Sequence, residues 1–235
     1  MSNSAKGSGL PDDVVRQYLQ SAGSGDTPAV MAAIADGVPV DAQSRRRQTA
    51  ILRAARGGHL ETVHALVEAG ADIDLQDDTC QNPFLFGCIS GNADLVRAMV
   101  EAGADITRLT RFGGNGLTPA AEKGHVRVVQ YLLENTEIDV NLTNSLGWTA
   151  LIEAIILGDG GQAQQDVVRL LLIHGADPAM TDEWGKYPIE LARREGFAEI
   201  VQLLEQYSGA DQLSPRAREV SVLPAADADA IENAG

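Results

Sequence analysis

Leu60, Val63, Leu66 and Val67 recur at intervals of three and four, which places them on one face of a helix. The heptapeptide VEAGADI begins at Val67 and returns at Val100, 33 positions later. Setting these two copies in register aligns everything around them. QTAILRAARGGHLETVHALVEAGADIDLQD (48 to 77) lies over QNPFLFGCISGNADLVRAMVEAGADITRLT (81 to 110), and GNGLTPAAEKGHVRVVQYLLENTEIDVNLT (114 to 143) follows with one extra residue. WTALIEAIILGDGGQAQQDVVRLLLIHGADPAMT (148 to 181) carries an insertion after Gly158, and KYPIELARREGFAEIVQLLEQ (186 to 206) comes next. GDTPAVMAAIADGVPVD (25 to 41) supplies the second half of an earlier repeat. A fixed period near 33 marks a stacked-repeat architecture, in which no single repeat buries its apolar face alone.

Each repeat predicts two helices. Thr49 and Thr149 stand at N-cap positions, Pro83 and Pro188 in first helical turns where a missing N–H costs little, and Gly70, Gly103 and Gly175 where a positive φ ends the second helix. The small pairs Ala54, Ala55 and Ala120, Ala121 let neighbouring helices approach closely. Pro119 lies about a turn inside its first helix, so that helix is expected to start late. Asp-rich stretches such as ADIDLQDDTC read as turns joining the repeats.

These features resemble the ankyrin repeat. The family's T-P-L-H, A-A, G-H, V-V-x-L-L and G-A-D signatures return as TAIL, AARGGH and GAD in one repeat and as TALI, VVRLLL and GAD in another, and the likeness covers residues 12 to 207. It implies an all-α repeat solenoid of stacked helix-turn-helix repeats with β-turn fingers, about six repeats with degenerate caps. The His of T-P-L-H is replaced by Leu52, Leu85, Thr118, Ile152 and Glu190, which shifts the expected local stability towards apolar packing. In the last repeat Arg193 and Glu205 replace the apolar residues at the positions of Ala55 and Val67, as a solvent-facing cap requires. Residues 1–11 are expected as a flexible N-terminus, 12–207 as the repeat domain and 208–235 as a disordered acidic tail.

Charge then narrows the function. With 33 acidic against 18 basic residues the net charge is -15, a field that repels phosphate backbones and anionic membranes, so neither nucleic acid nor membrane is an expected partner. The densest apolar run, ALIEAIIL, is too short to span a bilayer, the first residues lack an apolar leader, and Cys80 and Cys88 make no disulfide framework. A cytoplasmic, monomeric protein is expected, and the likeness to small bacterial ankyrin proteins implies a bacterial one.

Little here suggests catalysis. His59 and His125 fall in the G-H slot of the repeat, and His59 and His64 are five apart on a helix, a spacing unsuited to a shared metal ion. Asp72, Asp74 and Asp77 lack the Gly and Glu that a calcium loop needs. GDGGQAQQD (158 to 166) and FGGNG (112 to 116) lack the Lys and Ser/Thr of a phosphate loop, and the first reads as an elongated link between helices. Cys88 occupies a core slot, which predicts a buried, inert thiol. The chain is read as a non-enzyme without cofactor or metal.

The family resemblance instead places partner contacts on the fingers and first helices. Matched by position, these are Arg45, Arg46 and Gln48 with Arg56, then Asp78 and Gln81. Arg111 and Phe112 follow with Lys123, then Leu146 and Trp148, and finally Trp184 and Lys186 with Arg194. Both tryptophans fall on fingers, where aromatic residues and arginine serve as interface anchors. The function expected is a non-catalytic scaffold or adaptor for another protein. The alternatives are an acidic inhibitor or immunity-type protein that blocks a basic effector, and a small-molecule binder at the 158–166 segment.

Overall fold

A computed structural model of the chain describes residues 11–207; the expected flexible N-terminus up to residue 10 and the expected acidic tail from 208 lie outside the described residues. All regular structure among the described residues is helical. The described chain forms two compact units. One holds the residues up to Gly87 with Asp94–Asp105, the other Cys88–Ala93 with everything from Ile106 on.

In the first unit α1 (Asp12–Ser24) packs on α3 (Ala50–Gly57), and α2 (Thr27–Ala35) on α4 (Leu60–Glu68), giving an inner and an outer layer. Tyr18, Leu19, Ile51, Leu52, Val63 and Leu66 fill the space between the layers, and Ala54 and Ala55 are buried where the inner helices meet. Thr49 caps α3 by accepting the Leu52 N–H at 3.3 Å. Helix α5 (Pro83–Ser90) opens on its proline and crosses the division between the units, and α6 (Ala93–Glu101) follows it.

The second unit repeats the arrangement. Helices α7 (Leu117–Glu122), α9 (Ala150–Ile156) and α11 (Pro188–Arg194) pack in one layer. α8 (Val126–Asn135), α10 (Gln162–Ile173) and α12 (Ala198–Tyr207) form the other. Helix α7 starts one register position later than α9, at Leu117, whose N–H is held by Asn115 Oδ1 at 3.0 Å. Pro119 thereby falls in the first turn, where the N–H that proline lacks would have no intrahelical partner in any case. Leu52, Leu85 and Ile152 are fully buried in the slot that holds His in the family pattern. In the last repeat the two polar replacements pair with each other, Arg193 Nη2 donating to Glu205 Oε1 at 3.0 Å.

The GDGGQAQQD segment differs from the expected link. Its second half is the first turn of α10, and Gln164 is buried there with Nε2 donating to the Glu122 carbonyl at 3.3 Å. The glycines are present for close approach. A Cβ at Gly158 would lie 2.3 Å from the Ala154 carbonyl oxygen, and one at Gly160 would lie 2.2 Å from the Phe197 ring.

The Asp-rich turns join one repeat to the next. Asp41 Oδ1 accepts the Asp72 N–H at 2.9 Å and Asp74 Oδ1 the Asp105 N–H at 3.0 Å. In the second unit Asn141 Oδ1 accepts the Asp177 N–H at 2.9 Å. Asp41 and Asp74 thus act as backbone acceptors one repeat period apart, and the Asn141 amide does the same in the second unit.

Candidate partner-binding site on the fingers

Each finger is a five-residue turn, and those based on Ser44, Asp77, Asn144 and Asp182 are closed by that one short polar side chain. Asp77 Oδ1 accepts the N–H groups of Thr79 and Gln81 at 2.8 and 3.1 Å. Asn144 Oδ1 accepts those of Leu146 and Trp148 at 2.8 and 3.0 Å, and Asp182 Oδ1 those of Trp184 and Lys186 at 3.0 and 2.8 Å. Ser44 Oγ does the same for Arg46 and Gln48, at 3.2 Å each. The base residue's own N–H returns to the carbonyl four positions on, as from Asn144 to Trp148 at 2.9 Å, so the turn is closed on both sides. Asx-type turns of this kind hold the tip residues in place without help from a neighbouring chain.

In the first unit, finger one presents Arg45 and Arg46, both exposed, and Arg45 lies 3.7 Å from Asp12 with both side chains almost fully solvated. Asp78 is exposed on finger two, and its N–H donates to the Arg46 carbonyl at 3.2 Å. Arg56 and Gln81 are committed inward. The Arg56 guanidinium donates to Asp77 Oδ2 at 2.9 Å and to Gln81 Oε1 at 2.8 Å, and lies over the Phe86 ring. Gln48 is half-buried. Burial alone would raise the Asp77 carboxyl, but the Thr79 hydroxyl, the N–H groups of Gln81 and Thr79, and the Arg56 charge together hold it below the ordinary range.

In the second unit the finger tips carry large apolar side chains into solvent. Phe112 is 61% exposed, Leu146 42% and Trp184 64%. Arg111 stacks its guanidinium 4.8 Å from the Phe112 ring centre, which leaves its charge at the tip. The Ser145 N–H donates to the Phe112 carbonyl at 2.9 Å, and the Ser145 hydroxyl donates to that same oxygen, tying fingers three and four together. Trp148 is half-buried behind Trp184, with ring centres 6.4 Å apart and planes tilted by 56°. Lys186 is exposed beside Trp184. On the helices behind, Lys123 pairs with Glu122 at 3.5 Å and Arg194 with Glu195 at 3.0 Å.

A repeated two-layer helix pair, a polar-based finger at the repeat period and buried alanines between inner helices point to one family, and sequence comparison decides it. The family model described as Ankyrin repeats (3 copies) matches residues 18–110 and 85–182. The chain belongs to the ankyrin-repeat family. Ankyrin repeats are generally protein-interaction modules and typically non-catalytic. The ankyrin repeat protein YahD of Escherichia coli (strain K12) is 64% identical over 96 residues, which is 41% of this chain and 48% of that protein. The match thus spans about half the length of that relative. Among solved structures, an ankyrin repeat domain from Acinetobacter baumannii AYE is 36% identical with a TM-score of 0.78, covering 82% of this chain and 97% of that one. A chain of the complex between a predatory endopeptidase of Bdellovibrio bacteriovorus and an immunity protein has a TM-score of 0.69 at 20% identity, covering 80% of this chain and 96% of that one. That likeness speaks to the fold alone.

The ankyrin histidines serve the fold. His125 Nε2 lies 3.1 Å from the Ile89 carbonyl, and the His59 ring fills the space over Gly25 and Gly57. Cys88 is fully buried, and burial pushes its thiol pKa up, which disfavours the reactive thiolate. No group of metal-binding side chains occurs among the described residues, and no helix among them is long and apolar enough to cross a membrane.

One feature of the site was invisible in the sequence. Glu153, which merely interrupts the apolar run ALIEAIIL, is buried on α9 and accepts from Asn144 Nδ2 at 2.6 Å. The recurrence of Ser44, Asp77, Asn144 and Asp182 at finger bases was the available signal for Asn144. Nothing in the linear pattern pairs it with Glu153.

Proposed function

We propose that this chain is a non-catalytic scaffold that binds a partner protein through the finger tips of its second unit. Phe112, Leu146 and Trp184 are the anchors, and Arg111 and Lys186 the charged rim. The observation that carries this reading is the exposure of three large apolar side chains on consecutive fingers, in a protein with only 4% aromatic residues. Turns closed by their own backbone hydrogen bonds, and in the fingers of Leu146 and Trp184 also by the base side chain, present these side chains at little entropic cost, which favours affinity. Arg45, Arg46 and Asp78 form a separate polar finger edge on the first unit and add contacts of the solvated kind.

The experiment is affinity capture from cell lysate, followed by affinity measurement on the captured protein. A folded Phe112→Ala, Leu146→Ala, Trp184→Ala variant is compared with the unaltered chain. Each anchor contributes about 2 kcal/mol when buried, so the variant should bind at least about 30-fold more weakly. Equal binding by both would move the contact off these fingers. A second reading, an acidic inhibitor of a basic effector, is favoured by the net charge of -15. It predicts instead an association rate that falls steeply with salt and little effect of the apolar triple substitution.

A further inference from the structure

The three fingers of the second unit bear opposite charges at the two ends of their row. At the first tip position stand Arg111, Ser145 and Glu183, and at the second Phe112, Leu146 and Trp184, all six exposed. Finger four lies between its neighbours. The Ser145 N–H donates to the Phe112 carbonyl at 2.9 Å on one side, and on the other a Cβ at Gly147 would lie 3.4 Å from the Glu183 backbone nitrogen. The row therefore has an aromatic ring with a cation at one end, an aromatic ring with an anion at the other, and a neutral aliphatic finger in the middle. Neither end charge is spent within the chain: no ion pair among the described residues includes Arg111 or Glu183, and the stacking of Arg111 on its own Phe112 leaves its charge at the tip.

Such a row is complementary to itself. In an isologous contact residue i meets j and j meets i. A two-fold axis at the tip of finger four, perpendicular to the row, sets Leu146 on its own copy and Phe112 on the second copy's Trp184, twice per dimer. Arg111 meets the second copy's Glu183, also twice. Each large apolar tip finds an apolar partner and both free charges find their opposites, while Lys186 on the returning arm of finger five stands opposite Gly114. The other two-fold, along the row, would set Arg111 on Arg111 and Glu183 on Glu183, and these like charges disfavour it.

We infer that the occupant of these tips is a second copy of the chain, docked antiparallel through fingers three to five. The inference rests on the reading of the tips as a binding surface and names a partner for them. Area sets the strength. An aromatic side chain buries about 150–250 Å² in full, so the remaining exposure of the three apolar tips amounts to roughly 300 Å² on each copy. A stable interface covers about 800 Å² per partner, so this dimer is of the weak, transient kind and the chain is monomeric when dilute. Two chains of net charge -15 also repel, but at about 0.15 M salt the Debye length is about 8 Å, which screens the distant charges and spares the contacts across the interface.

The test uses the full chain alone. Sedimentation from about 10 μM to about 1 mM, in about 0.15 M salt, should show the average mass rising from that of one chain towards that of two. Arg111→Glu and Glu183→Arg each set like charges together twice per dimer, and each alone should weaken association at least about 10-fold. An equimolar mixture of the two variants should restore it, because every contact between unlike variants again pairs a carboxylate with a guanidinium. A chain that stays monomeric throughout, or a mixture that associates no better than either variant alone, would overturn the dimer. If either variant does not fold, Leu146→Lys decides: on the two-fold axis it sets two cations together and should abolish association, and unchanged association would overturn the proposal. Partner capture that the anchor substitutions abolish, from a chain that stays monomeric, would leave the function proposed above standing and remove only the dimer. Equal capture by both proteins, with the charge exchange holding, would leave the tips as a contact between copies alone.

Discussion

Glu153 and Asp77 are both buried carboxyls next to a finger, and they couple stability to pH in opposite directions. Asp77 is held below its ordinary pKa, so the folded state binds its proton less readily than the unfolded chain. It contributes stability above the unfolded value of 3.8, and that contribution is lost as pH falls through the folded value. Glu153 rises from 4.5 to about 7, so the folded state holds a proton that the unfolded chain has released. Stability from Glu153 is therefore present below 4.5, lost as pH rises to about 7, and constant above that. The full shift amounts to roughly 3 kcal/mol. Melting temperatures of the unaltered chain should thus fall between pH 4.5 and about 7 relative to Glu153→Gln, by about 2–4 °C for each kcal/mol. Parallel melting curves for the two proteins across that range would show that Glu153 is solvated rather than buried.

At the scale of the element, the finger is a turn whose fourth residue takes the left-handed conformation. Gly113, Gly147 and Gly185 occupy it with φ of 83°, 70° and 72°, but Arg47 and Cys80 occupy the same position at 59° and 57°. A side chain there costs about 1–2 kcal/mol. Gly147→Ala should therefore destabilise by about 1 kcal/mol in urea unfolding, while Cys80→Gly should stabilise slightly, the relief of strain being partly offset by chain entropy. A stabilising Gly147→Ala would contradict the turn geometry. The helices around the fingers were legible in the sequence because their signals are local. Thr49 and Thr149 cap, Pro83 and Pro188 open helices, and Gly70, Gly103 and Gly175 have φ of 83°, 85° and 91° beyond their helices. The start of α10 was not legible, because Gln162 to Gln165 look like solvated loop residues until Gln164 is seen buried against the Glu122 carbonyl. The orientation of Arg56 and the half-burial of Trp148 escaped for the same reason. Each depends on a partner from another segment, which a period of 33 residues brings near but does not specify.

For the molecule as a whole, the excess of acid is partly a consequence of how repeats are joined. Asp41 and Asp74 accept backbone N–H groups of the following repeat, and Asp77 and Asp182 close fingers, so carboxylates recur with the period of the fold. Their cost is self-repulsion at a net charge of -15. The exposed ion pairs do little to offset it: Arg45 with Asp12 is almost fully solvated, Lys123 with Glu122, Arg169 with Asp166 and Arg194 with Glu195 are partly exposed, and such pairs contribute about 0–1 kcal/mol each. Salt shortens the Debye length from about 30 Å at 0.01 M to about 8 Å at 0.15 M, which screens the distant repulsions first and leaves the short N–H to carboxylate bonds intact. Raising sodium chloride from about 0.01 M to 0.15 M should therefore raise the melting temperature by a few degrees, of the order of 1 kcal/mol in stability. The sign is the informative part. A fall would mean that the solvated ion pairs hold the fold together more strongly than the acids drive it apart, and the carboxylates would then have to be counted as electrostatic partners rather than as hydrogen-bond acceptors carried at a charge penalty.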